Sequence, residues 1–416
     1  MPRRALFRNA CQGYQSAPQR VNEIKVENPS KSIDLPPIWC YFDHPFRAIG
    51  RNRGNRTPAS ALPYSQTMTL RPPQSAHGPR GGELALIRNI RGRVARSVSS
   101  GLRLGIGDDC ALIRPRPGHE LAVTTDLTIA GVHFRLDWHS PESAGHRALA
   151  RGLSDLAAMG ARPVAAFLSL GLPREFANPA GRWSSSWVAR FLDGLLALAA
   201  THKTPLAGGD VSETPVPLAD IVLIGTVPAG KAMLRSTALP GHLLYVTGSI
   251  GGGAAALPHL DRLARENKTR SKGANPLRIP RGLEALVERH LWPRPRIAQG
   301  LWLRRHSLAS AAIDLSDGLS TDLTHLCEES GVAAEIDAAL LPIHHGASLH
   351  YALHGGDDYE LLFTAASSTR IPRKIAGVAV TRIGRIVPAR RNRPTVTLLS
   401  PQGPQPLKPQ GWEHFA

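Results

Sequence analysis

From Glu83 onward, short apolar stretches with the two-residue period of a strand alternate with longer stretches of helical period, and near Gly230 the alternation starts over. Such a chain buries its apolar faces by layering helices on sheets. In the first half, ELALIRNIRGRV reads as helix, ELAVTTDLTIAGVHF as strand, and PESAGHRALARGLSDLAAMGA as a long helix stopped by Gly160 and Pro163. VAAFLSLGLP, a strand ending in PLAGGD, and ADIVLIGTVPAG follow, with the helix WVARFLDGLLALAATH after the first of them. After Gly230, LLYVTGSIGGGAAAL reads as strand, Gly-rich turn and helix, AAIDLSDGLSTDLTHLCEESG as strand, turn and helix, and YELLFTA and TRIGRIV as strands. The expectation is an α/β (α+β) protein with two domains, 83–230 and 231–416, and a cleft between them. The segment from Asp261 to Arg281, with ENKTRSKGANP in its middle, reads as an exposed basic loop.

Residues 1–82 show no sustained period, are rich in Arg, Pro, Ser, Asn and Gln, and carry Pro36, Pro37, Pro45 and Pro58 where an amphipathic helix would need continuity. They read as a low-order basic extension, and Met68 offers an alternative start. The formal charge of +18 invites a nucleic-acid partner. Its arginines are scattered, however, with local groups such as RNRGNR and ARRNR and no interleaved aromatics, so nucleic acid is not favoured. No apolar run approaches the roughly 18 residues of a membrane span. Cys11, Cys40, Cys110 and Cys327 form no CxxC pair, which disfavours zinc and suits reduced thiols in a cytoplasmic protein.

The chemistry lies in the placement of the acids. Asp109 follows a Gly-x-Gly, Asp126 follows Thr124 and Thr125, and Asp155 follows Ser154 in a helix. Asp210 follows Gly208 and Gly209, Asp314 and Asp317 bracket Leu315 and Ser316, and Asp357 and Asp358 follow Gly355 and Gly356. No run of basic partners stands beside them. Gathered without cations, such carboxylates would raise one another's pKa, so an oxygen-only set of this kind points to a hard cation, Mg²⁺, and to phosphate chemistry on a nucleotide. Each motif also has a plain structural reading. GGD alone suits a turn, Ser316 or Asp317 suits a helix cap, and GSIGGG lacks the Lys-Ser/Thr of a phosphate loop and suits a tight turn. Asp155 suits a satisfied helix position, His133 a strand position, and Trp412 end-of-chain packing.

Taken together, GIGDDCALI, TTDLTIAGVHF, LSDLAAMGA, GGD, IDLSDGL and GGDDYELLFT, in this order and closed by GWEHFA, resemble the thiamine-monophosphate kinase family from about Glu83 onward. Single motifs are shared with aminoimidazole ribonucleotide synthetase, selenophosphate synthetase and a hydrogenase maturation factor, which share one ATP-binding fold. The resemblance implies the two-domain aminoimidazole ribonucleotide synthetase-like fold, a homodimer, and transfer of the ATP γ-phosphoryl group to thiamine monophosphate with several Mg²⁺ ions. Since the acceptor is itself ionised, no general base is expected. The resemblance puts metal ligands at Asp109, Thr124, Thr125, Asp126, Asp155, Asp210, Asp314 and Asp317, and ATP contacts at Gly209, Asp210, Arg235 and Ser316. It puts thiamine-phosphate contacts at His133, Asp357 and Trp412, with Asp126, Asp210 and Arg235 central to catalysis. Departures from the family pattern are Asp357, where Glu is usual and Asp358 is an alternative contact, Val211 in place of Thr, and Gly152 in place of Asn. Within GIGDDCALI, alternation of side chains has Asp109 facing the metals and Asp108 bracing the turn. Another enzyme of the same fold is the alternative reading, and a basic RNA-associated protein that has lost catalysis is the alternative of a different class.

Overall fold

The computed structural model describes residues 83–94, 101–177, 183–270 and 277–412. The extension read over 1–82, including Met68, and the last four residues of GWEHFA lie outside the described residues.

In the first half, α1 (Glu83–Val94) precedes a short ribbon, β1 (Leu102–Leu104) and β2 (Leu112–Ile113), that frames the GIGDDCALI turn. Then come β3 (His119–Ile129), α2 (Pro141–Ala158), β4 (Arg162–Leu172), α3 (Arg174–Ala177), α4 (Trp187–His202), β5 (Leu206–Glu213) and β6 (Leu218–Pro228). Four of these strands form a sheet in the order β3-β6-β4-β5, antiparallel except for the β4/β5 pair.

Helix α2 starts where Ser140 accepts the Ser143 N–H, with Pro141 at the first turn. It ends at Gly160, whose φ is +63°. Leu149, Leu153 and Leu156 of α2 are buried with Leu192 and Leu195 of α4 and with Ile221 and Leu223 of β6. Each such side chain contributes about 1.5–3 kcal/mol by its burial. The two helices cross with backbones almost touching, since a Cβ on Gly145 would lie 1.9 Å from the Phe191 carbonyl oxygen and one on Gly194 1.8 Å from that of Glu142.

The second half runs β7 (Leu243–Thr247), α5 (Gly252–Ala255), α6 (Leu257–Arg270), α7 (Glu284–Leu291), α8 (Ile297–Arg305), β8 (Ala311–Asp314), α9 (Leu319–Ser330), β9 (Val332–Asp337) and α10 (Leu349–His354). It closes with β10 (Leu361–Ala365), β11 (Lys374–Ile375), β12 (Val378–Pro388), β13 (Val396–Ser400) and β14 (Gly403–Pro406). Its sheet has the order β14-β13-β9-β12-β7-β10-β8, with β11 on β12 and only β13/β9 parallel.

The alternation read from the sequence is present, and three local expectations are corrected. The strand read over ELAVTTDLTIAGVHF ends at Ile129, so His133 lies in the turn after β3 rather than at a strand position. The start of the segment read as a basic loop is helix α6, which takes i,i+4 pairs between Asp261 and Arg265 and between Arg262 and Glu266; only residues 271–276 lie outside the described residues. The strand carrying GGD does not end there but continues to Glu213. One apolar core also runs across the chain's midpoint, since Ala312 of β8 and Leu361 and Phe363 of β10 share a cluster with the α2 and α4 leucines. Among the described residues no helix is long and apolar enough to cross a membrane.

Candidate functional site: an acid-lined cleft on helix α2

Helical spacing puts Arg147, Arg151 and Asp155 one turn apart on one face of α2. That face looks into a cleft of about 580 Å³ lined also by Asp126, His133, Asp314, Ser316, Asp317, Asp357 and Trp412. Strand β3 supplies Asp126, the turn after it His133, the end of β8 Asp314, the β8–α9 turn Ser316 and Asp317, and the loop before β10 Asp357. Eight residues expected from the resemblance therefore meet on one wall or another of a single cleft.

The acids at its floor interact. Thr124 donates its hydroxyl to Asp155 at 2.5 Å, and Ser154 donates to Asp314 at 2.7 Å. Burial first, and the neighbouring Asp314 carboxylate next, push the Asp155 carboxyl up to about 7. Burial likewise raises Asp314, against the Ser154 hydrogen bond. These are carboxylates short of positive charge, the condition that a hard cation relieves. Their donors are oxygens alone, which fits Mg²⁺ shared with substrate phosphates. Among the described residues no three His, Cys, Asp or Glu side chains stand together as a ready metal cage.

Two acids in the cleft have arginine partners, although no run of bases stands beside them in the sequence. Arg151 grips both oxygens of Asp126, at 2.7–2.9 Å. Arg147, buried to 1% exposure, donates to the His133 carbonyl at 3.0 Å, to the His290 carbonyl at 2.9 Å and to Asp357 at 2.6 Å. Asp357 also accepts from the Tyr359 hydroxyl at 2.8 Å and lies 3.3 Å from His290 Nδ1. Burial favours its neutral form, but Arg147, His290 and Arg151 together outweigh that and hold the carboxyl well below the usual range. The partners come from elements distant in sequence, so no local run of bases announced them. The available signal was the i,i+4,i+8 spacing of Arg147, Arg151 and Asp155; nothing local marked His290 or Tyr359.

The alternatives left open by the motifs resolve differently from one another. Asp358 does not face the cleft. It accepts the Gly251 and Gly253 N–H groups at 2.6 and 3.4 Å, so it braces the GSIGGG turn, and burial pushes its carboxyl up to about 7. The start of α9 is capped by neither Ser316 nor Asp317. The buried Asp322 side chain reaches back to the Asp317 and Gly318 N–H groups, which leaves the faces of Ser316 and Asp317 to the cleft. Asp108 accepts the Asp109 N–H at 2.9 Å, as a turn brace does.

Other expected residues lie off the cleft lining. Asp109 is exposed in its turn. Thr125 alternates away from Thr124 and Asp126, onto the face of β3 that also carries the exposed Leu121, Val123 and Leu127. Arg235 is exposed, and its charge reaches Asp314. Asp210 is exposed on the edge strand β5, its carboxylate accepting the Val211 N–H. GGD lies within that strand rather than at a turn: Gly209 has φ +146°, and a Cβ there would stand 1.9 Å from the Leu168 carbonyl oxygen of β4. His133 and Trp412, by contrast, line the cleft: His133 accepts the Ile129 N–H on Nδ1 at 3.1 Å, and the Trp412 N–H donates to the Asp317 carbonyl at 3.2 Å.

Comparison with known proteins places this geometry. Residues 107–227 match the AIR synthase related protein, N-terminal domain, and residues 240–397 the corresponding C-terminal domain. A thiamine-monophosphate kinase of Escherichia coli K12 is 38% identical over 347 residues, covering 80% of this chain and 98% of the relative. That of Bacillus subtilis is 33% identical, covering 80% and 99%. Among solved structures, a thiamine-monophosphate kinase from Stenotrophomonas maltophilia superposes with TM-score 0.61 at 38% identity over 76% of this chain and 95% of its own. AaThiL complexed with AMPPCP and TMP superposes with TM-score 0.60 at 29% identity, covering 80% and 97%.

Proposed function

The chain belongs to the thiamine-monophosphate kinase family of AIR synthase related proteins, and from that premise we propose that its cleft transfers the γ-phosphoryl group of ATP to the phosphate of thiamine monophosphate, giving thiamine diphosphate and ADP. The observation that carries this reading is the convergence of Asp126, Asp155, Asp314, Ser316, Asp317, His133, Asp357 and Trp412, from five separate segments, on one cavity. A relative whose structure holds a nucleotide analogue together with TMP supports the pair of substrates.

Both reactants are anions, so the site's task is to neutralise charge and hold two phosphates in line. Mg²⁺ ions, when bound, would supply that neutralisation, and Asp126, Asp155, Asp314, Asp317 and the Thr124 hydroxyl are the oxygens that would hold them. Asp109, Thr125 and Asp210 complete the set by family likeness. Gly209, Asp210, Arg235 and Ser316 are assigned to ATP, with Arg235 as a fixed positive charge. His133, Asp357 and Trp412 are assigned to thiamine phosphate, its thiazolium cation resting on the indole face. Asp357 enters that role already paired with Arg147, so it orients the ligand more than it neutralises it. The attacking phosphate oxygen is ionised at neutral pH, which leaves no proton for a general base to remove.

The family also implies a cytoplasmic homodimer. The edge strand β3 supports the dimer, since Leu121, Val123 and Leu127 lie exposed in a row along it. The function is tested by incubating purified protein with ATP, Mg²⁺ and thiamine monophosphate, with aminoimidazole precursors and selenide as competing substrates. Thiamine diphosphate is the expected product, and its absence overturns the reading.

A further inference from the structure

Arg147 and Arg151 stand one turn apart on α2, yet they are held in different ways. Arg147 is locked by three hydrogen bonds to three segments and is 1% exposed. Arg151 lies on the cleft surface with 19% of its side chain exposed, and its hydrogen bonds among the described residues all go to one group, the Asp126 carboxylate. Both oxygens of that carboxylate are engaged.

A divalent ion bound by Asp126 would sit about 2.0–2.1 Å from a carboxylate oxygen. On the side of the carboxylate that faces Arg151 the guanidinium already takes both oxygens, and two cations on one carboxylate repel one another. The Arg151 guanidinium and a divalent cation are therefore alternatives at Asp126. Once displaced, the guanidinium faces a cleft that receives phosphates, and its planar fork matches a phosphate as well as it matches a carboxylate.

We propose that Arg151 is an exchangeable counter-charge: it holds Asp126 until a divalent cation binds, yields the carboxylate to that cation, and then turns to the phosphate that arrives with it. This rests on the reading of Asp126 as a cation ligand in the kinase site. It gives the bidentate pair a consequence beyond stability. Cation binding has to displace an internal competitor, and an anionic ligand that takes up the freed guanidinium lowers that cost. Cation and phosphate thus favour each other's binding, as linkage requires.

The test measures Mn²⁺ binding to the full chain by electron paramagnetic resonance, with and without saturating thiamine monophosphate, for the unmodified protein, Arg151→Met and Arg151→Lys. Folding is checked by circular dichroism and thermal midpoint. Without phosphate ligand, Arg151→Met binds Mn²⁺ about tenfold more tightly than the unmodified protein, the worth of one partly buried ion pair. Arg151→Lys falls between the two, since an ammonium makes a single point contact, and it carries the test should the Met variant not fold. Thiamine monophosphate tightens Mn²⁺ binding in the unmodified protein, and that enhancement shrinks at least threefold in Arg151→Met. Equal Mn²⁺ affinity in the folded proteins, including no measurable binding by any, overturns the exchange, as does an undiminished enhancement. Failure of the unmodified protein to make thiamine diphosphate would strike the kinase reading instead and would leave the ligand-free Mn²⁺ comparison to be judged separately.

Discussion

Asp155 and Asp358 are both held near pH 7 by burial, and they do different work. Asp155 faces other acids in the cleft, whereas Asp358 holds the backbone of a Gly-rich turn through two N–H groups. A folded-state pKa raised from 3.8 to about 7 means that the folded protein binds the proton more tightly than the unfolded chain. The contribution of Asp358 to stability is therefore fully present below about pH 4 and is lost as pH rises towards 7. Asp358→Asn removes that dependence, so the stability of the variant relative to the unmodified protein, from urea midpoints, rises by ~2–4 kcal/mol between pH 4 and pH 7.5. A difference that stays flat across the window would show that the carboxyl is already ionised. At the acids proposed to meet Mg²⁺, Asp126→Asn and Asp210→Asn are each expected to lower turnover by about 100-fold at limiting Mg²⁺, with the circular dichroism unchanged. Near-normal rates would remove those residues from the ligand set. The reach of Asp126 and Asp155 was legible in LSDLAAMGA and TTD, but their arginine and threonine partners were not, because those contacts cross between elements.

Helix α2 is the element on which the site is built. Its caps, its Pro at the first turn and its Gly stop are all local features, and the sequence predicts its span closely. Its position is less local: α2 presses on α4 through Gly145 and Gly194, and it carries Arg147, Arg151 and Asp155 to the cleft on one face, with Ser154 beneath them on Asp314. Gly194→Ala puts a methyl 1.8 Å from the Glu142 carbonyl oxygen and forces the helices apart. A loss of about 2–3 kcal/mol in urea unfolding is expected, together with weaker binding of thiamine monophosphate as the floor of the cleft shifts. An unchanged urea midpoint would mean that the helices part without cost. The failed loop reading at α6 has an equally physical cause: charged residues crowd the segment after Asp261 and look like loop, but Leu260, Leu263 and Ala264 recur at helical spacing and are buried, and the exposed i,i+4 ion pairs only add to that apolar stripe.

Across the described residues, the two larger sheets, each of mixed direction, share an apolar core, and the polar cleft opens where β3, α2, β8 and the loop before β10 meet. The opposite side of β3 presents Leu121 (46% exposed), Val123 (60%) and Leu127 (45%) on an edge strand. Val123→Lys is expected to halve the molar mass found by light scattering, because a charge at the centre of that row cannot be buried between two copies. An unchanged dimeric mass would move the contact elsewhere, and a monomeric unmodified protein would remove it. The sequence by itself determined the alternation of strands and helices, the ends of α2 and the identity of the acids, since period, caps and motif residues are properties of near neighbours. Only the tertiary structure decided which acids share a cavity and which charges pair. Arg147 meets Asp357 across 210 residues of chain, and Arg151 meets Asp126 because α2 packs on β3; such pairings exist only once the apolar faces have chosen their partners.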